Sequence, residues 1–301
     1  MLKPYRKDLV VAVECLFFCW YWIADLCAEE GIAFVLGHAL DMKAIHGGKT
    51  KNDRIDSYKI AALLRSGNLP YAYVYPRDKR ATRDLMRRRT FFVRKRAELL
   101  THIQNTNTQY NLPAFEERVD KTSDRGAVIE HFDEGSVQMS MAADVSLLGA
   151  FDEVIRELEL FLLHEVRKDH RHEFSILRSL PGIGEVLALT MLYEIDDLQR
   201  FPRVQDFLSY ARLVKGRHES AGKTKKTTGS KIGNVYLKWA FSEAATLFLR
   251  WNVPGRKYFE RIEKKHGKGK ALSILAAKLG RAVYYMLPRK KPFDLERFVT
   301  V

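Results

Sequence analysis

Three carboxylates near the start of the chain have the residue types and spacing of a metal site. Asp53 and Asp56 lie three residues apart on a predicted helix over residues 51–64, so both side chains project from one face of that helix. Glu14 ends an apolar run that predicts a β-strand. Carboxylate oxygens are hard ligands of the kind Mg2+ prefers, and this ion commonly shares them with a substrate phosphate. The pattern predicts phosphoryl transfer. The simpler alternative makes Asp53 a helix N-cap and Glu14 an ordinary strand end.

The elements that must position these carboxylates alternate between strand and helix. An apolar strand over residues 8–14 is followed by a helix around 20–30, a second strand over 32–36, and the helix that carries both aspartates. This order predicts parallel strands covered by helices. Because a parallel sheet of two strands cannot bury both of its faces, we expect the domain to need further strands.

A long basic helix is predicted after Pro76. Its arginines alternate with apolar residues, so one face can pack on a partner helix while guanidinium groups face phosphates. The chain carries 51 Lys and Arg residues against 37 Asp and Glu residues, and its net charge of +14 favours nucleic acid as the partner. A solvated charged face is the alternative. We expect phosphate contacts from four arginines of this helix: Arg83, Arg87, Arg88 and Arg89.

The middle of the chain is predicted to be helical from about residue 145 to 177. Its apolar residues follow one stripe, which suits a coiled coil or a helical hairpin. Such a helix either joins two protomers or packs within one chain, and both interpretations stay open. Residues 117–145 are polar and mixed, and we expect short helices and turns there.

A Pro-Gly-x-Gly sequence at residues 181–184 precedes an apolar helix. It is typical of the turn in a helix-hairpin-helix motif, where glycines let backbone N–H groups approach a DNA phosphate at a helix N-terminus. Gly182 and Gly184 are therefore candidate DNA contacts. An ordinary tight connection between two helices is the alternative.

A basic, glycine-bearing loop is predicted over residues 212–234, and it contains Ser220. A serine hydroxyl is a poor nucleophile at neutral pH, so a catalytic serine needs activation and nearby positive charge. Lys223, Lys225 and Lys231 are candidates to supply that charge, and Lys223 and Lys231 are candidates to contact nucleic acid. Taken alone, Ser220 would be interpreted as an ordinary loop serine.

Neither a membrane span nor a disulfide framework is predicted. No apolar run reaches the length needed to cross a bilayer. The chain has 3 cysteines, and so small and odd a number indicates a reducing cytoplasm.

Six segments, taken in order, carry a resemblance to a known family. They are VVAVE at residues 10–14, KNDRIDSYKIA at 51–61, the arginine block at 83–89, LPGIG at 180–184, ESAGK at 219–223 and SKIGN at 230–234. With these the chain resembles, over nearly all its length, the DEDD transposases of bacterial and archaeal insertion sequences, the family of bridge-RNA-guided serine recombinases. Each segment is weak alone, and the shared order makes the resemblance specific.

The resemblance implies an α/β part and a mostly α part. The first is a partial RNase H or RuvC-like (DEDD) domain with the basic helix, residues 1–115. A helical or coiled-coil linker, 116–176, joins it to a helical C-terminal domain of the Transposase_20 type with a helix-hairpin-helix turn, 177–301. By position, Glu14, Asp53 and Asp56 match the second, third and fourth of the four family acids that bind metal, here Mg2+. Ser220 matches the serine that becomes covalently linked to DNA.

The partners implied by the resemblance are the DNA of the element ends and target, a structured guide RNA and further copies of the chain, as a dimer or tetramer. The resemblance also implies that the protein is located in the prokaryotic cytoplasm, at the nucleoid and away from membranes. Two other functions stay open: a catalytically inactive relic that only binds nucleic acid, and a RuvC-like junction nuclease that cuts without a serine.

The chain departs from the family pattern in two places. The first family acid lies on the first strand of the sheet, whereas the strand ending at Glu14 corresponds to the fourth. Asp8 is the one acid upstream, and at six residues along the same strand it lies roughly 20 Å from Glu14, too far to share an ion. We therefore expect an N-terminally truncated transposase, from a misassigned start codon or a decayed element. The second departure is Glu219-Ser220-Ala221, where relatives often have two serines and a glycine.

Overall fold

The computed structural model describes residues 5–16, 19–45, 52–116, 118–120, 125–215, 218–220, 223–225 and 232–300, with the backbone alone for 43–45, 218–220, 223–225, 251 and 300. Internal contacts divide the chain into an N-terminal unit, Met1–Ala81, and a C-terminal unit, Thr82–Val301. The three-part division at residues 115 and 176 stays a prediction. None of the described helices is long and apolar enough to cross a membrane.

The N-terminal unit contains a two-stranded parallel sheet with helices against it. Its elements, in chain order, are β1 (Val10–Glu14), α1 (Trp20–Glu29), β2 (Ala33–Gly37), α2 (Ala39–Ile45) and α3 (Asp53–Arg65). The register places Val10 opposite Ala33 and Glu14 opposite Gly37. The predicted alternation of strand and helix, and the parallel pairing, are confirmed.

Helix α3 is held against the sheet by apolar side chains. Leu63 of α3 is buried in a cluster with Met42 and Leu69, and Ala12 of β1 and Val35 of β2 pack against that cluster. Burial of such side chains contributes roughly 1.5–3 kcal/mol each. The helix that carries both aspartates is therefore docked on the strand that ends at Glu14.

The C-terminal unit is almost entirely helical. Its elements are α4 (Arg77–Gln109, which begins in the N-terminal unit), α5 (Gly126–Glu130), α6 (Gly135–Asp169), α7 (Arg171–Arg178), α8 (Glu185–Ile195), a short 3-10 turn (Leu198–Arg200), α9 (Val204–Tyr210), β3 (His218–Ser220), β4 (Lys223–Lys225), α10 (Val235–Trp251), α11 (Val253–His266), α12 (Lys268–Arg289) and α13 (Leu295–Thr300). The apolar faces of α8, α10 and α12 supply much of one large core. The α-rich fold is as predicted.

Helices α4 and α6 pack antiparallel within the chain. Arg89 forms an ion pair with Glu159 at 2.5 Å, and Arg96 forms one with Asp152 at 2.5 Å. Burial would raise the pKa of Asp152, but the hydrogen bonds and charges of Arg96 and Arg125 lower it. Of the two interpretations left open for the middle helix, packing within one chain is the arrangement that the structure describes.

The boundaries of the middle helix differ from the prediction. Helix α6 begins at Gly135, so short helices and turns were wrong for its first turns, where Val137 and Met141 are buried and extend the apolar stripe. The helix ends at Asp169 because His170 leaves helical geometry (φ −136°), and α7 follows as a separate element.

The predicted loop over residues 212–234 contains a short antiparallel hairpin. Strands β3 and β4 pair His218 with Lys225 and Ser220 with Lys223. The prediction of a loop without regular structure was therefore wrong for residues 218–220 and 223–225.

Candidate functional site

The aspartate pair begins helix α3 but does not cap it. Asn52 is the N-cap, and its side-chain oxygen accepts a hydrogen bond from the backbone N–H of Ile55 at 2.8 Å. Asp53 and Asp56 both lie in the first turn, where carboxylates interact favourably with the helix dipole. The N-cap interpretation of Asp53 was wrong, because the residue before it makes that bond.

The three predicted metal ligands lie in the N-terminal unit. Asp53 is exposed, and Asp56 and Glu14 are half-buried. Lys59 places its ammonium nitrogen 3.5 Å from a carboxylate oxygen of Asp56. Within the residues that the structure describes, no group of three or more His, Cys, Asp or Glu side chains is arranged to hold a metal ion. The described side chains thus do not bring Glu14 together with the two aspartates as a three-ligand centre.

Two of the four arginines predicted to bind nucleic acid form a cluster with a buried glutamate. The carboxylate of Glu194, whose side chain is 1% exposed, accepts hydrogen bonds from Arg87 at 2.6 and 2.9 Å. It also accepts one from Arg83 at 3.2 Å. Burial would raise the pKa of Glu194, but the hydrogen bond from Arg87 and the charges of both arginines lower it. Glu194 is therefore ionised and neutralises charge that was expected to face phosphate.

Asn234 connects this cluster to helix α10. Its amide nitrogen donates to Glu194 at 2.7 Å, while its amide oxygen accepts from the backbone N–H groups of Tyr236 and Leu237 at 2.9 and 3.0 Å. The same residue donates its backbone N–H to the carbonyl of Tyr210 at 2.6 Å. Asn234 thus caps α10 and joins the two ends of the segment that contains Ser220. We call Arg83, Arg87, Glu194 and Asn234 the Glu194 cluster.

The other two predicted arginines differ in exposure. The guanidinium group of Arg89 donates two hydrogen bonds to a carboxylate oxygen of Glu159. Arg88 is exposed, and its guanidinium carbon lies 4.6 and 4.7 Å from the ring centroids of Phe91 and Phe92. Arg88 is the member of the set with its charge presented to solvent, and the nucleic-acid contacts of all four stay predictions.

The two glycines of the predicted helix-hairpin-helix turn differ in whether a side chain could fit at their position. Gly182 has a φ of +89°, and a Cβ there would lie 2.5 Å from the backbone nitrogen of Phe248 and 2.9 Å from the carbonyl oxygen of Ala244. Its lack of a side chain is thus required by packing against α10. Gly184 is the N-cap of α8, and a Cβ there would meet nothing within 4 Å. Contact with DNA at either glycine stays a prediction.

Ser220 is the last residue of β3 and lies opposite Lys223 of β4 in the backbone register. The side chains of this hairpin are outside what the structure describes, and Lys231 lies outside the described residues altogether. The hairpin is the one described element between the paired ends at Tyr210 and Asn234.

Glu194 is the important residue that sequence reasoning missed. The signal was a single buried acid near the end of the apolar helix α8, EVLALTMLYEI. Glutamate is almost never fully buried without a partner, so its position predicts a buried cation even though the cation cannot be identified from sequence.

Comparison with known proteins gives matches over most of the chain. A model described as "Transposase", of the DEDD type named for IS110, matches residues 2–112. A second, described as "Transposase IS116/IS110/IS902 family", matches residues 174–260.

Individual relatives agree with those matches. The Sinorhizobium fredii protein named "Putative transposase y4qE" is 27% identical over 93% of this chain and 71% of its own length. The transposase for insertion sequence element IS1111A of Coxiella burnetii is 24% identical over 81% of this chain and 68% of its own length. The pilin gene-inverting protein of Moraxella bovis is 30% identical over 41% of this chain and 39% of its own length.

These matches place the carboxylates in a DEDD domain, a type of domain that uses divalent metal, and the Ser220 hairpin in the second matched region. The chain belongs to the IS110 family of DEDD transposases, enzymes of insertion sequences that act on DNA.

Proposed function

We propose that this transposase cuts and rejoins DNA through a covalent bond between Ser220 and the DNA, at sites chosen by a structured guide RNA. The observation that carries the proposal is the position of Ser220. It lies in the region matched to the transposase family, in a hairpin between paired ends at Tyr210 and Asn234. The substrates are the element ends and the target, in the prokaryotic cytoplasm at the nucleoid.

The proposed reaction exchanges one phosphate ester for another. The hydroxyl oxygen of Ser220 attacks a backbone phosphorus, an oxygen–phosphorus bond forms to the serine, and the bond to the departing deoxyribose oxygen breaks. The proton lost by the serine is balanced by the proton that the departing oxygen gains. Lys223, opposite Ser220 in the hairpin, and Lys231 offset negative charge on the non-bridging oxygens. The retained ester lets a second DNA hydroxyl reverse the step and rejoin the strand.

The donor set near the start of the chain suits Mg2+. Asp53 and Asp56 would hold the ion, and Glu14 would join them only if its side chain is brought to the pair on binding. Mg2+ is usually held by one or two carboxylates together with waters and substrate phosphates. The aspartate pair in one turn of α3 supplies such a set, with Lys59 as the cation beside Asp56. An ion held there would supply Lewis-acid chemistry, either at a phosphate or at a hydroxyl.

A relative supports recombination rather than cleavage alone. The Moraxella bovis protein is named for inverting a pilin gene, and inversion requires each cut strand to be joined again. Because two DNA segments exchange strands in such a reaction, we also propose that the chain acts as a homo-oligomer, a dimer or a tetramer.

The test is a covalent adduct. Labelled element-end DNA is incubated with purified protein, Mg2+ and the RNA transcribed from the element, and the mixture is denatured in detergent and resolved on a gel. We expect a band in which DNA stays attached to protein, absent in Ser220→Ala and present in the control Ser242→Ala, whose hydroxyl is bonded to its own helix. Asp56→Asn should lower the yield of the band, and Asp78→Asn, an exposed acid of α4, should not.

Other outcomes favour other functions. An adduct that persists in Ser220→Ala would refute the nucleophile. Metal-dependent cuts that survive Ser220→Ala without any adduct would indicate a junction nuclease. Salt-sensitive binding by the wild-type protein with neither cuts nor adduct would indicate a relic that only binds nucleic acid.

A further inference from the structure

Three arginines, a serine and a phenylalanine surround a surface cavity in the C-terminal unit. Its volume is about 540 Å³, and the residues around it are Arg167, Arg171, Phe174, Ser175 and Arg178. Arg167 lies in the last turn of α6, and the other four residues belong to α7. None of these arginines was among the predicted nucleic-acid contacts. We call this feature the arginine cavity.

One face of α7 forms most of the cavity. Arg171, Ser175 and Arg178 are spaced four and three residues apart, so they project from the same side of the helix. All three are exposed, whereas Phe174, Ile176 and Leu177 are buried and hold the helix on the core. The cationic face is therefore presented to solvent by a helix whose opposite face is fixed.

The charge at this site is largely uncompensated. Within the described residues, Arg167 and Arg171 have no ion pair or side-chain hydrogen bond, whereas Arg178 donates to Glu185 at 3.3 Å. Both members of that pair are nearly half exposed, and an exposed pair contributes at most about 1 kcal/mol. Arg178 has five N–H donors in all, so Glu185 leaves most of them for a ligand.

The position of Arg171 is unfavourable for its own helix. It is the first residue of α7, where the helix dipole disfavours positive charge. Arg167, by contrast, lies near the end of α6, where positive charge is stabilising. The dipole of its own helix accounts for Arg167 but not for Arg171, whose charge a bound anion would stabilise.

We propose that the arginine cavity binds the phosphodiester backbone of a nucleic acid. The two ends of the cationic face on α7, Arg171 and Arg178, are roughly 10 Å apart along the helix axis, which suits neighbouring phosphates of one strand better than a single small anion. Guanidinium groups bind phosphate oxygens in pairs of hydrogen bonds, and the Ser175 hydroxyl adds a donor between them. Contacts of this kind fix the position of a nucleic acid without reading its sequence.

This inference rests on the proposed function, because the ligand is the backbone of the nucleic acid on which the transposase acts. The test compares the wild-type protein with Arg167→Ala/Arg171→Ala. The control is Arg156→Ala, an exposed arginine on α6 about three helical turns from Arg167. Binding is measured by fluorescence anisotropy with labelled duplex DNA and with labelled RNA at several salt concentrations. A melting temperature for each protein checks that it is folded.

We expect the double variant to bind about tenfold or more weakly near physiological salt, equally for element-end and unrelated sequences. The slope of log Kd against log salt should fall by about two, since each lost phosphate contact removes about one. Arg167→Lys/Arg171→Lys should recover the salt slope but only part of the affinity, because lysine lacks the forked donors. The ligand that loses affinity identifies the source as DNA or RNA.

One result would overturn the inference alone: a double variant that binds both nucleic acids like Arg156→Ala. If inorganic pyrophosphate then still raises the melting temperature of the wild-type protein but not of the double variant, the cavity is a small-anion site. No salt-sensitive binding of DNA or RNA by the wild-type protein would overturn the proposed function together with this inference.

Discussion

Replacing Glu194 by glutamine tests whether the Glu194 cluster supports the C-terminal unit. Glutamine keeps the shape of the side chain and one acceptor for Asn234, but it removes the negative charge that faces Arg83 and Arg87. The side chains of those two arginines are 11% and 31% exposed. The change therefore leaves two cations in a partly buried place without the carboxylate that offsets their charge.

The expected loss of stability follows from that burial. Removing one partner of a buried ion pair costs about 3–5 kcal/mol. We expect the low end, about 3 kcal/mol, because water reaches nearly a third of the Arg87 side chain. For a unit of roughly 220 residues, this corresponds to a melting temperature lower by about 6–12 °C.

Thermal unfolding followed by circular dichroism measures this loss, and Glu185→Gln is the matched control. Glu185 is on the same helix, α8, and also pairs with an arginine, but that pair is nearly half exposed. Its loss should change stability by less than about 1 kcal/mol. If Glu194→Gln melts within about 2 °C of Glu185→Gln, the cluster does not stabilise the fold and the reasoning fails.

The pH dependence of the same variant gives an independent measurement. The pKa of Glu194 in the folded protein is below the usual 4.5. Its stabilisation is therefore complete above that value and is lost as the pH falls through the folded pKa. The wild-type protein should lose stability more steeply than Glu194→Gln in this acidic range, so that the two melting temperatures approach each other. A difference that stays constant from pH 7 down to pH 3 would contradict an ionised Glu194.

Two further substitutions test local structure. Gly182→Ala should destabilise the C-terminal unit by at least about 2 kcal/mol, because a Cβ would overlap the backbone of α10 and φ is +89°. Gly184→Ala, in open space at an N-cap, should cost less than about 1 kcal/mol. Equal melting temperatures of the two variants would show that α10 moves aside. Asn52→Ala should weaken the first turn of α3 by about 1 kcal/mol, seen as faster amide exchange there, and Asn52→Asp should restore protection; unchanged exchange in Asn52→Ala would show that the cap does not hold this turn.

Local patterns predicted the elements well because hydrophobic periodicity is a local property. The strands ending at Glu14 and Gly37 and the long basic helix α4 were all visible in the sequence. The start of α6 was not, because its first turns were grouped with the polar, mixed residues that precede them, although Val137 and Met141 continue the buried stripe. The prediction for residues 117–145 gave more weight to their mixed composition than to the spacing of Val137 and Met141.

The roles of individual side chains were less predictable, because they depend on partners distant in sequence. A block of arginines in a chain of net charge +14 indicates phosphate binding, yet Arg83 and Arg87 meet a glutamate more than a hundred residues away. Conversely, Arg167 and Arg171 lie in a stretch of mixed charge and were not predicted to bind nucleic acid, although the structure places them around one cavity. Only the fold distinguishes a neutralised arginine from one that is free to bind.

The Glu194 cluster also connects segments that are far apart in the sequence. Arg83 and Arg87 come from the arginine block, and Asn234 ends the SKIGN segment. Asn234 forms hydrogen bonds both to Glu194 and to Tyr210. The cluster inside the C-terminal unit is therefore connected to both ends of the segment that contains Ser220. A buried polar cluster is stable only when every member is bonded. A substitution at Arg87 or Glu194 should therefore disturb the ends of the Ser220 segment as well as the core, even if neither residue touches DNA.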